Sequence, residues 1–260
     1  MGAFQNGYIR LRSLVNRALK GHRLDIENVP RALPRTIWMY WAQGLDDAPE
    51  IVKICVQSWR DQNPGWDLRL ITDETLSNHL DRSRYAEAMT PTNVSDMLRL
   101  QLLRKHGGIW ADATSFCARP VDDWLVPLMQ GGFFAFARPT PGRIMANWLM
   151  ASEPEGTIIA RLSDVADAYW LGRSKASDYF WFHYSFEWLA IVDQSFRKAW
   201  KQVPKISADG PHVLFAKQRE NALEDIDPTD PGFMAIPVHK LSWKEPLPDH
   251  ILKKWGWWSG

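Results

Sequence analysis

Two charged side chains stand three positions apart in the sequence Ser-Asp-Met-Leu-Arg at 95–99. They lie within a predicted helix over 93–105, on which residues three apart are surface neighbours. A carboxylate accepts hydrogen bonds and a guanidinium donates several in a fixed fork, so Asp96 and Arg99 together can bind the hydroxyls of a sugar. The spacing also fits a structural role, in which Asp96 favours the helix N-terminus and pairs with Arg99.

A second acidic residue follows two glycines and a short apolar strand. Gly107 and Gly108 end the predicted helix, 109–111 is a predicted strand, and Asp112 stands at its carboxyl end. Ligands bind at that end of the strands in open α/β sheets. Asp112 can therefore bind a nucleotide ribose or a divalent cation, because Mg²⁺ and Mn²⁺ prefer oxygen ligands. The alternative is an aspartate that caps a turn.

The elements that must position these groups alternate between strand and helix patterns. Strands are predicted at 35–41, 66–71, 109–111 and 131–137, and helices at 49–60, 73–80, 93–105 and 158–171. The alternation predicts an α/β fold with an open, largely parallel sheet confined to 30–140. The later half of the chain is predicted to be largely helical and rich in tryptophan.

Composition excludes several classes of protein. The 260 residues include 31 basic and 30 acidic side chains, and this net charge of +1 argues against a nucleic-acid partner. Two cysteines are too few for a disulfide scaffold or a structural zinc site. The 15 tryptophans are numerous, and such rings stack on sugars and bases as well as forming cores.

Residues 1–29 predict a basic amphipathic helix. The first 24 residues carry five basic side chains and no acidic one, with apolar residues at roughly helical spacing. No apolar run typical of a signal peptide follows, and no run of about 18 apolar residues occurs in the chain. Such a helix either lies on an anionic membrane surface, which the tryptophan- and lysine-rich tail at 253–258 also favours, or packs on the domain.

Together, and in this order, the motifs Ser-Asp-x-x-Arg at 95–99 and Gly-Gly-x-Trp-x-Asp at 107–112 resemble those of the capsular polysaccharide synthesis family of glycosyltransferases. That family is related to Och1-type mannosyltransferases and to clostridial toxin glucosyltransferases. The resemblance spans 33–244, with further matching segments at 33–38, 40–44, 58–66, 122–124, 147–148, 179–184 and 239–244. It implies a GT-A-like fold with one glycosyltransferase domain over 30–260. In that domain 30–140 would bind the nucleotide sugar, and 141–260 would supply the acceptor side and the segments that close the site.

The resemblance also implies roles for individual residues. Asp96, Arg99 and Asp112 are the expected catalytic residues, and the first two are expected to hold the donor sugar. Trp41 should lie against the nucleotide base. The remaining expected donor-binding residues are Tyr40, Gln43, Gly44, Asp73, Asn147, Ser242, Trp243 and Lys244.

A metal ion, Mn²⁺ or Mg²⁺, is implied by the same resemblance, with Asp112, Thr114 and His239 as its ligands. Asp112 occupies the first acidic position of the family's Asp-x-Asp motif. Thr114 replaces the second acid, and a neutral hydroxyl is a weaker ligand. His239 suits Mn²⁺ or a phosphate oxygen, although a partly buried structural histidine fits the sequence as well.

His183 and Glu187 are the expected acceptor residues. His183 lies in an aromatic run over 179–184, and Glu187 follows about one helical turn later. The run either forms plain core or lines a sugar-binding pocket.

The predicted function is transfer of a hexose from a nucleotide-diphosphate sugar, UDP-linked by default, to a hydroxyl of a bacterial surface glycan or lipid-linked acceptor, with retention of configuration. The predicted location is the cytoplasm, with peripheral attachment to the inner face of the membrane as a further expectation. Two alternatives stay open: a sugar-phosphate transferase, and a non-catalytic glycan-binding relative.

Overall fold

The structure is a computed structural model that describes residues 33–85, 89–140 and 142–256. The predicted helix over 1–29 and the end of the tryptophan-rich tail lie outside the described residues. Within them, no helix is long and apolar enough to cross a membrane.

An open five-stranded sheet forms the centre of the fold. The described strands are β1 (Thr36–Tyr40), β2 (Asp67–Ile71), β3 (Gly108–Ala111), β4 (Ser115–Cys117), β5 (Phe133–Ala135), β6 (Leu149–Ser152) and β7 (Val238–Lys240). The strand order in the central sheet is β2-β1-β3-β6-β5. Strands β2 and β3 pair with β1 in parallel, and β6 joins β3 and β5 in antiparallel pairs. A second, two-stranded antiparallel sheet joins β4 and β7.

Helices flank both faces of this sheet. In the described residues they are α1 (Glu50–Gln62), α2 (Pro91–His106), α3 (Val121–Trp124), α4 (Thr157–Trp170), α5 (Trp181–Val192), α6 (Gln194–Gln202), α7 (Val213–Arg219), α8 (Pro231–Met234) and α9 (Asp249–Trp255). The predicted α/β class, with an open sheet flanked by helices and a largely helical later half, is confirmed.

Alternation along β1 assigns the two faces of the sheet to two hydrophobic clusters. Ile37 and Met39 lie in the cluster that contains α1, β4 and the C-terminal segments. Trp38, between them, lies in the cluster that contains α2, α4, α5 and α6. This is the period-2 pattern expected for a strand that is covered on both faces.

Two expectations about the sheet and its connections need correction. The sheet is mixed and is not confined to 30–140, because the fully buried strand β6 lies between β3 and β5. The predicted helix over 73–80 is reduced to one 3-10 turn at Leu76–Asn78. There the backbone N–H of Thr72 donates to the Thr75 hydroxyl, at 3.1 Å, and such side-chain bonds compete with helix formation.

Candidate functional site

The carboxyl ends of β1, β2 and β3 meet at one edge of the sheet, because these three strands are parallel neighbours. Trp41 and Asp73 follow β1 and β2, and their loops are tied by backbone bonds from Trp41 N to Ile71 O and from Asp73 N to Ala42 O, at 3.0 and 2.9 Å. Asp112 follows β3, and its backbone N–H donates to Trp148 O at 2.8 Å. This edge therefore collects the residues that the sequence predicts for donor binding and catalysis.

A buried ion network lies beside Asp112. Arg99 Nη1 donates to Asp96 Oδ1, and Arg99 Nη2 lies 3.2 Å from Asp112 Oδ1 and 3.1 Å from Ser95 Oγ. The side chains of Asp96 and Arg99 are 5% and 4% exposed, against 27% for Asp112. Helix α2 thus supplies a buried ion pair, and the Asp112 carboxylate at the strand end is the more exposed of the two acids.

The surroundings of the network hold its charges in one geometry. Asn147 Nδ2 donates to Asp96 Oδ1 at 3.0 Å, and Trp110 Nε1 donates to Asp112 Oδ1 at 3.1 Å. The guanidinium of Arg99 lies 5.1 Å from the centre of the Trp110 ring. Burial raises the pKa of Asp96 to about 6, although Arg99 beside it acts to lower it.

Lys240, the last residue of β7, also belongs to this ion network. Its Nζ lies 2.5 Å from Thr114 Oγ1 and 3.3 Å from Asp112 Oδ2. Lys240 is not among the residues predicted from the sequence. It stands next to His239, but no sequence pattern reveals that β7 pairs with β4.

His239 is not brought to this cluster. Its side chain is 1% exposed and stacks on Phe233 with ring centres 4.8 Å apart. Burial lowers its pKa to about 3, so it is neutral at pH 7. Successive residues of a strand point to opposite faces, and on β7 the side chain in contact with Asp112 and Thr114 is Lys240. This placement corrects the predicted ligand set of Asp112, Thr114 and His239.

Two tryptophan rings lie close together near the loop that follows β1. Trp41 meets Trp243 edge to face, with ring centres 5.8 Å apart, and Trp243 is 50% exposed. Among the described residues Trp41 Nε1 has no hydrogen-bond partner. Tyr40 donates its hydroxyl to Asp73 Oδ1 at 2.6 Å, which orients both side chains.

The other predicted donor-binding residues lie in two loops. Gln43 is exposed. Gly44 has a φ of +77°, which glycine adopts readily, and its backbone N–H donates to Trp41 O at 3.0 Å. Ser242 is held by Gln218, whose side chain bonds both its backbone N–H and its carbonyl. Lys244 is exposed, with its Nζ 5.6 Å from the Trp243 ring centre.

The predicted acceptor residues, His183 and Glu187, lie on α5, close to the ion network around Arg99. Burial lowers the pKa of His183 to about 4, and the positive charges of Arg143 and Arg99 add to this shift. Arg99 also lies 5.7 Å from the ring of Phe182. Among the described residues His183 Nδ1 and Glu187 Oε1 are buried atoms with no hydrogen-bond partner. Buried polar atoms are normally paired, so each of these two atoms lacks the hydrogen bond that its burial would lead one to expect.

A divalent cation does not fit the residues predicted to bind it. Asp112 and Thr114 offer one carboxylate and one neutral hydroxyl, and the ammonium of Lys240 already contacts both. Hard cations need several oxygen ligands, and an ammonium at their centre adds repulsion. Across 33–85, 89–140 and 142–256, no three His, Cys, Asp or Glu side chains gather in a way that could hold a metal ion.

The chain is similar to a known protein family and to several glycosyltransferases. The family described as "Capsular polysaccharide synthesis protein" matches residues 10–251. The O-glycosyltransferase braB of Annulohypoxylon truncatum is 27% identical over 173 residues, which cover 58% of this chain and 41% of that protein. The initiation-specific alpha-1,6-mannosyltransferase of Candida albicans is 26% identical over 106 residues, 36% of this chain and 28% of that protein.

A solved structure titled "PaToxG Glycosyltransferase" aligns over 96% of this chain and 92% of its own, with a TM-score of 0.45 and 14% identity. The chain spans less than half the length of the curated relatives it matches. The family match covers most of the sequence, including every strand and helix that surrounds Asp112. The chain therefore belongs to the capsular polysaccharide synthesis protein family.

Proposed function

We propose that this chain is a nucleotide-sugar-dependent glycosyltransferase. It transfers a hexose from a UDP-sugar to a hydroxyl of a bacterial surface glycan or lipid-linked acceptor, with retention of configuration. The observation that carries the proposal is the partly exposed carboxylate of Asp112 at the carboxyl end of β3, held by Arg99 and Lys240. Family membership and the glycosyltransferase titles of the relatives support the coarser part of the proposal, glycosyl transfer.

The donor would lie along the carboxyl edge of the sheet. Trp41 and Trp243 offer aromatic faces to the nucleotide base, and stacking on such a ring contributes roughly 1–3 kcal/mol per base. Asp73, oriented by its hydrogen bond from Tyr40, would bind a ribose hydroxyl. The diphosphate would then lie beside Asp112 and the loop after β7.

The donor sugar would lie over the Asp96–Arg99 pair. Both side chains are almost fully buried, so they act mainly by fixing Asp112 and Asn147, whose side chains are the more exposed members of the network. Preorganised polar groups of this kind lower the barrier because they need no rearrangement during the reaction. Asp112 and Asn147 would then contact the hydroxyls of the sugar.

The acceptor would approach from α5. His183 Nδ1 and Glu187 Oε1 lack partners among the described residues, and an acceptor hydroxyl could satisfy both. Exposed aromatic side chains flank them, with Tyr184 44% and Trp188 53% exposed. His183 is neutral at pH 7, so it is available as a hydrogen-bond acceptor or donor rather than as a charged group.

A donor screen tests the proposal. The purified chain is incubated with UDP- and GDP-linked hexoses, in EDTA and in Mn²⁺, and the released nucleotide is identified. Release of a nucleoside diphosphate that depends on Asp112 supports glycosyl transfer. Release of UMP indicates a sugar-phosphate transferase, and saturable glycan binding without turnover of any donor indicates a non-catalytic relative.

A further inference from the structure

We propose that the ammonium of Lys240 supplies, at Asp112 and Thr114, the positive charge that a divalent metal ion would otherwise supply to the donor diphosphate. This inference rests on the proposed function. It starts from one contact set: Lys240 Nζ lies 2.5 Å from Thr114 Oγ1 and 3.3 Å from Asp112 Oδ2. These two side chains are the pair that the family motif assigns to the metal. The cation position between them is therefore filled by the protein itself.

The local charge count supports this assignment. Two carboxylates at 112 and 114 would balance an ion of charge +2. Here one carboxylate and a neutral threonine hydroxyl balance an ammonium of charge +1. The neutral Thr114 in place of the second acid therefore matches the single positive charge of Lys240 beside it.

The backbone fixes Lys240 at this position. Ser115 and Lys240 are paired residues of β4 and β7. The N–H of Lys240 donates to Pro211 O at 2.8 Å, and the N–H of Leu241 donates to Thr114 O at 2.9 Å. The lysine side chain is 17% exposed, so its stem is held in the fold while the head reaches the Asp112 carboxylate. A strand, rather than a surface loop, sets the location of the charge.

The other charges of the site orient Asp112 toward the lysine. Arg99 and Trp110 both donate to Asp112 Oδ1, which leaves Oδ2 for Lys240. The carboxylate therefore lies between two cations, one from α2 and one from β7. An ammonium donates three hydrogen bonds, and two of them reach Asp112 and Thr114. The third remains for an oxygen of the diphosphate.

Lys240 would act at the bond that breaks. The bond from the anomeric carbon to the β-phosphate oxygen cleaves, and its electron pair stays on that oxygen. The acceptor oxygen bonds to the anomeric carbon, and its proton passes to the departing phosphate oxygen. Negative charge grows on the diphosphate during this step, and a fixed ammonium beside it stabilises that charge without a metal ion.

Activity in EDTA is the first test. We expect wild-type transfer to continue within twofold after EDTA treatment and to gain less than twofold from Mn²⁺ or Mg²⁺. Lys240→Met should lose about 100-fold in kcat, as when one donor to a developing charge is removed. Lys240→Arg, which keeps the charge, should recover at least tenfold over Lys240→Met. Lys201→Met, at an exposed position of α6, is the matched control.

Binding gives a readout independent of turnover. The probe is the nucleoside diphosphate released in the donor screen, or inorganic pyrophosphate where no donor is turned over, titrated calorimetrically in EDTA and in Mn²⁺. We expect the wild type to bind it equally in both and Lys240→Met to bind it at least tenfold more weakly. The variant Thr114→Asp with Lys240→Met should deplete the electron paramagnetic resonance signal of free Mn²⁺, whereas the wild type should not.

Two sets of results separate the inference from the proposed function. Wild-type transfer that falls more than tenfold in EDTA, Mn²⁺ binding by the wild type, or equal diphosphate binding by wild type and Lys240→Met overturns the role of Lys240 and leaves glycosyl transfer standing. No turnover of any donor, combined with metal-free diphosphate binding that requires Lys240, removes the proposed function and keeps the cation assignment. Absence of saturable diphosphate binding overturns the assignment.

Discussion

Helices α2 and α5 each carry two polar side chains about one turn apart, but the two pairs differ in what they contact. Asp96 and Arg99 on α2 bond to each other, and they also bond to Asn147 and Asp112. On α5, His183 Nδ1 and Glu187 Oε1 are buried and have no hydrogen-bond partner among the described residues. The Asp96 carboxylate and both terminal nitrogens of Arg99 thus have partners within the protein, whereas these two atoms of the α5 pair have none among the described residues.

The two pairs also respond to pH in opposite directions. Burial raises the pKa of Asp96 to about 6 and lowers that of His183 to about 4. Burial disfavours the charged form in both cases, which is the protonated form for His183 and the ionised form for Asp96. The comparison shows that burial affects both sites, and that only on α2 do neighbouring groups compensate the charge.

The largest expected effect is at Asp112, the partly exposed carboxylate that contacts Arg99 of the α2 pair. Asp112→Asn keeps the shape but removes the charge that lies between Arg99 and Lys240. We expect kcat for transfer to fall by at least about 100-fold, with little change in melting temperature because Asp112 is 27% exposed. Asp122→Asn, whose side chain pairs with Arg35 at the surface, is the control. Activity within fivefold of wild type would remove Asp112 from the site.

Breaking the α2 pair should cost stability. Arg99→Met leaves Asp96 buried without its cation, and such a loss costs about 3–5 kcal/mol of unfolding free energy. The matched control lies on the same helix: Arg104→Met breaks partly exposed pairs with Glu155 and Asp164 and should cost less than about 1 kcal/mol. Chemical denaturation measures both variants. Equal losses would mean that burial of the α2 pair has no energetic consequence.

The opposite titrations can be measured with two neutral substitutions. Between pH 4 and 6 folded Asp96 binds a proton that the unfolded chain does not, so its contribution to stability is lost as pH rises through that range. Between pH 6.5 and 4 the unfolded chain protonates His183 and the folded one does not, so its contribution is lost as pH falls.

Relative to Asp96→Asn, the wild type should therefore lose about 1–2 kcal/mol of unfolding free energy between pH 5 and pH 7. Relative to His183→Asn, it should gain a similar amount over the same interval. Urea unfolding at the two pH values gives both differences. Changes of the same sign for the two variants would contradict the contrast between the pairs.

The residues on the α2 side of the site can be predicted from sequence because they are close together along the chain. Asp96 and Arg99 lie within one turn of a predicted helix, and Asp112 follows a short strand bounded by two glycines. Gly107, with a φ of +66°, ends α2 at the predicted place. Local periodicity and turn chemistry are sufficient to predict such groups.

The rest of the site depends on pairings between distant segments. Strands β4 and β7 have three residues each, too few to show a period, and their pairing alone brings Lys240 to Thr114. Strand β6 is a four-residue buried run, and such a run cannot be distinguished from a helix segment by its pattern. The chemistry of imidazole and the resemblance favour His239 in the sequence, whereas the face of β7 decides which side chain reaches Asp112.

The smallest expected effect is on the α5 pair, because Glu187 Oε1 has no hydrogen-bond partner among the described residues. Glu187→Gln keeps the size and one oxygen, removes the negative charge and replaces the other oxygen with an N–H₂ donor. We expect the acceptor KM to rise about threefold to tenfold, since one hydrogen bond to a charged group contributes about 1.5 kcal/mol. The donor KM and the unfolding free energy should stay unchanged.

The control is Glu220→Gln, at the exposed end of α7. Gln101 is unsuitable as a control position because its side chain bonds Asp167. A rise in donor KM would move Glu187 to the nucleotide side. A loss of stability without a change in acceptor KM would mean that its carboxylate has a structural role only.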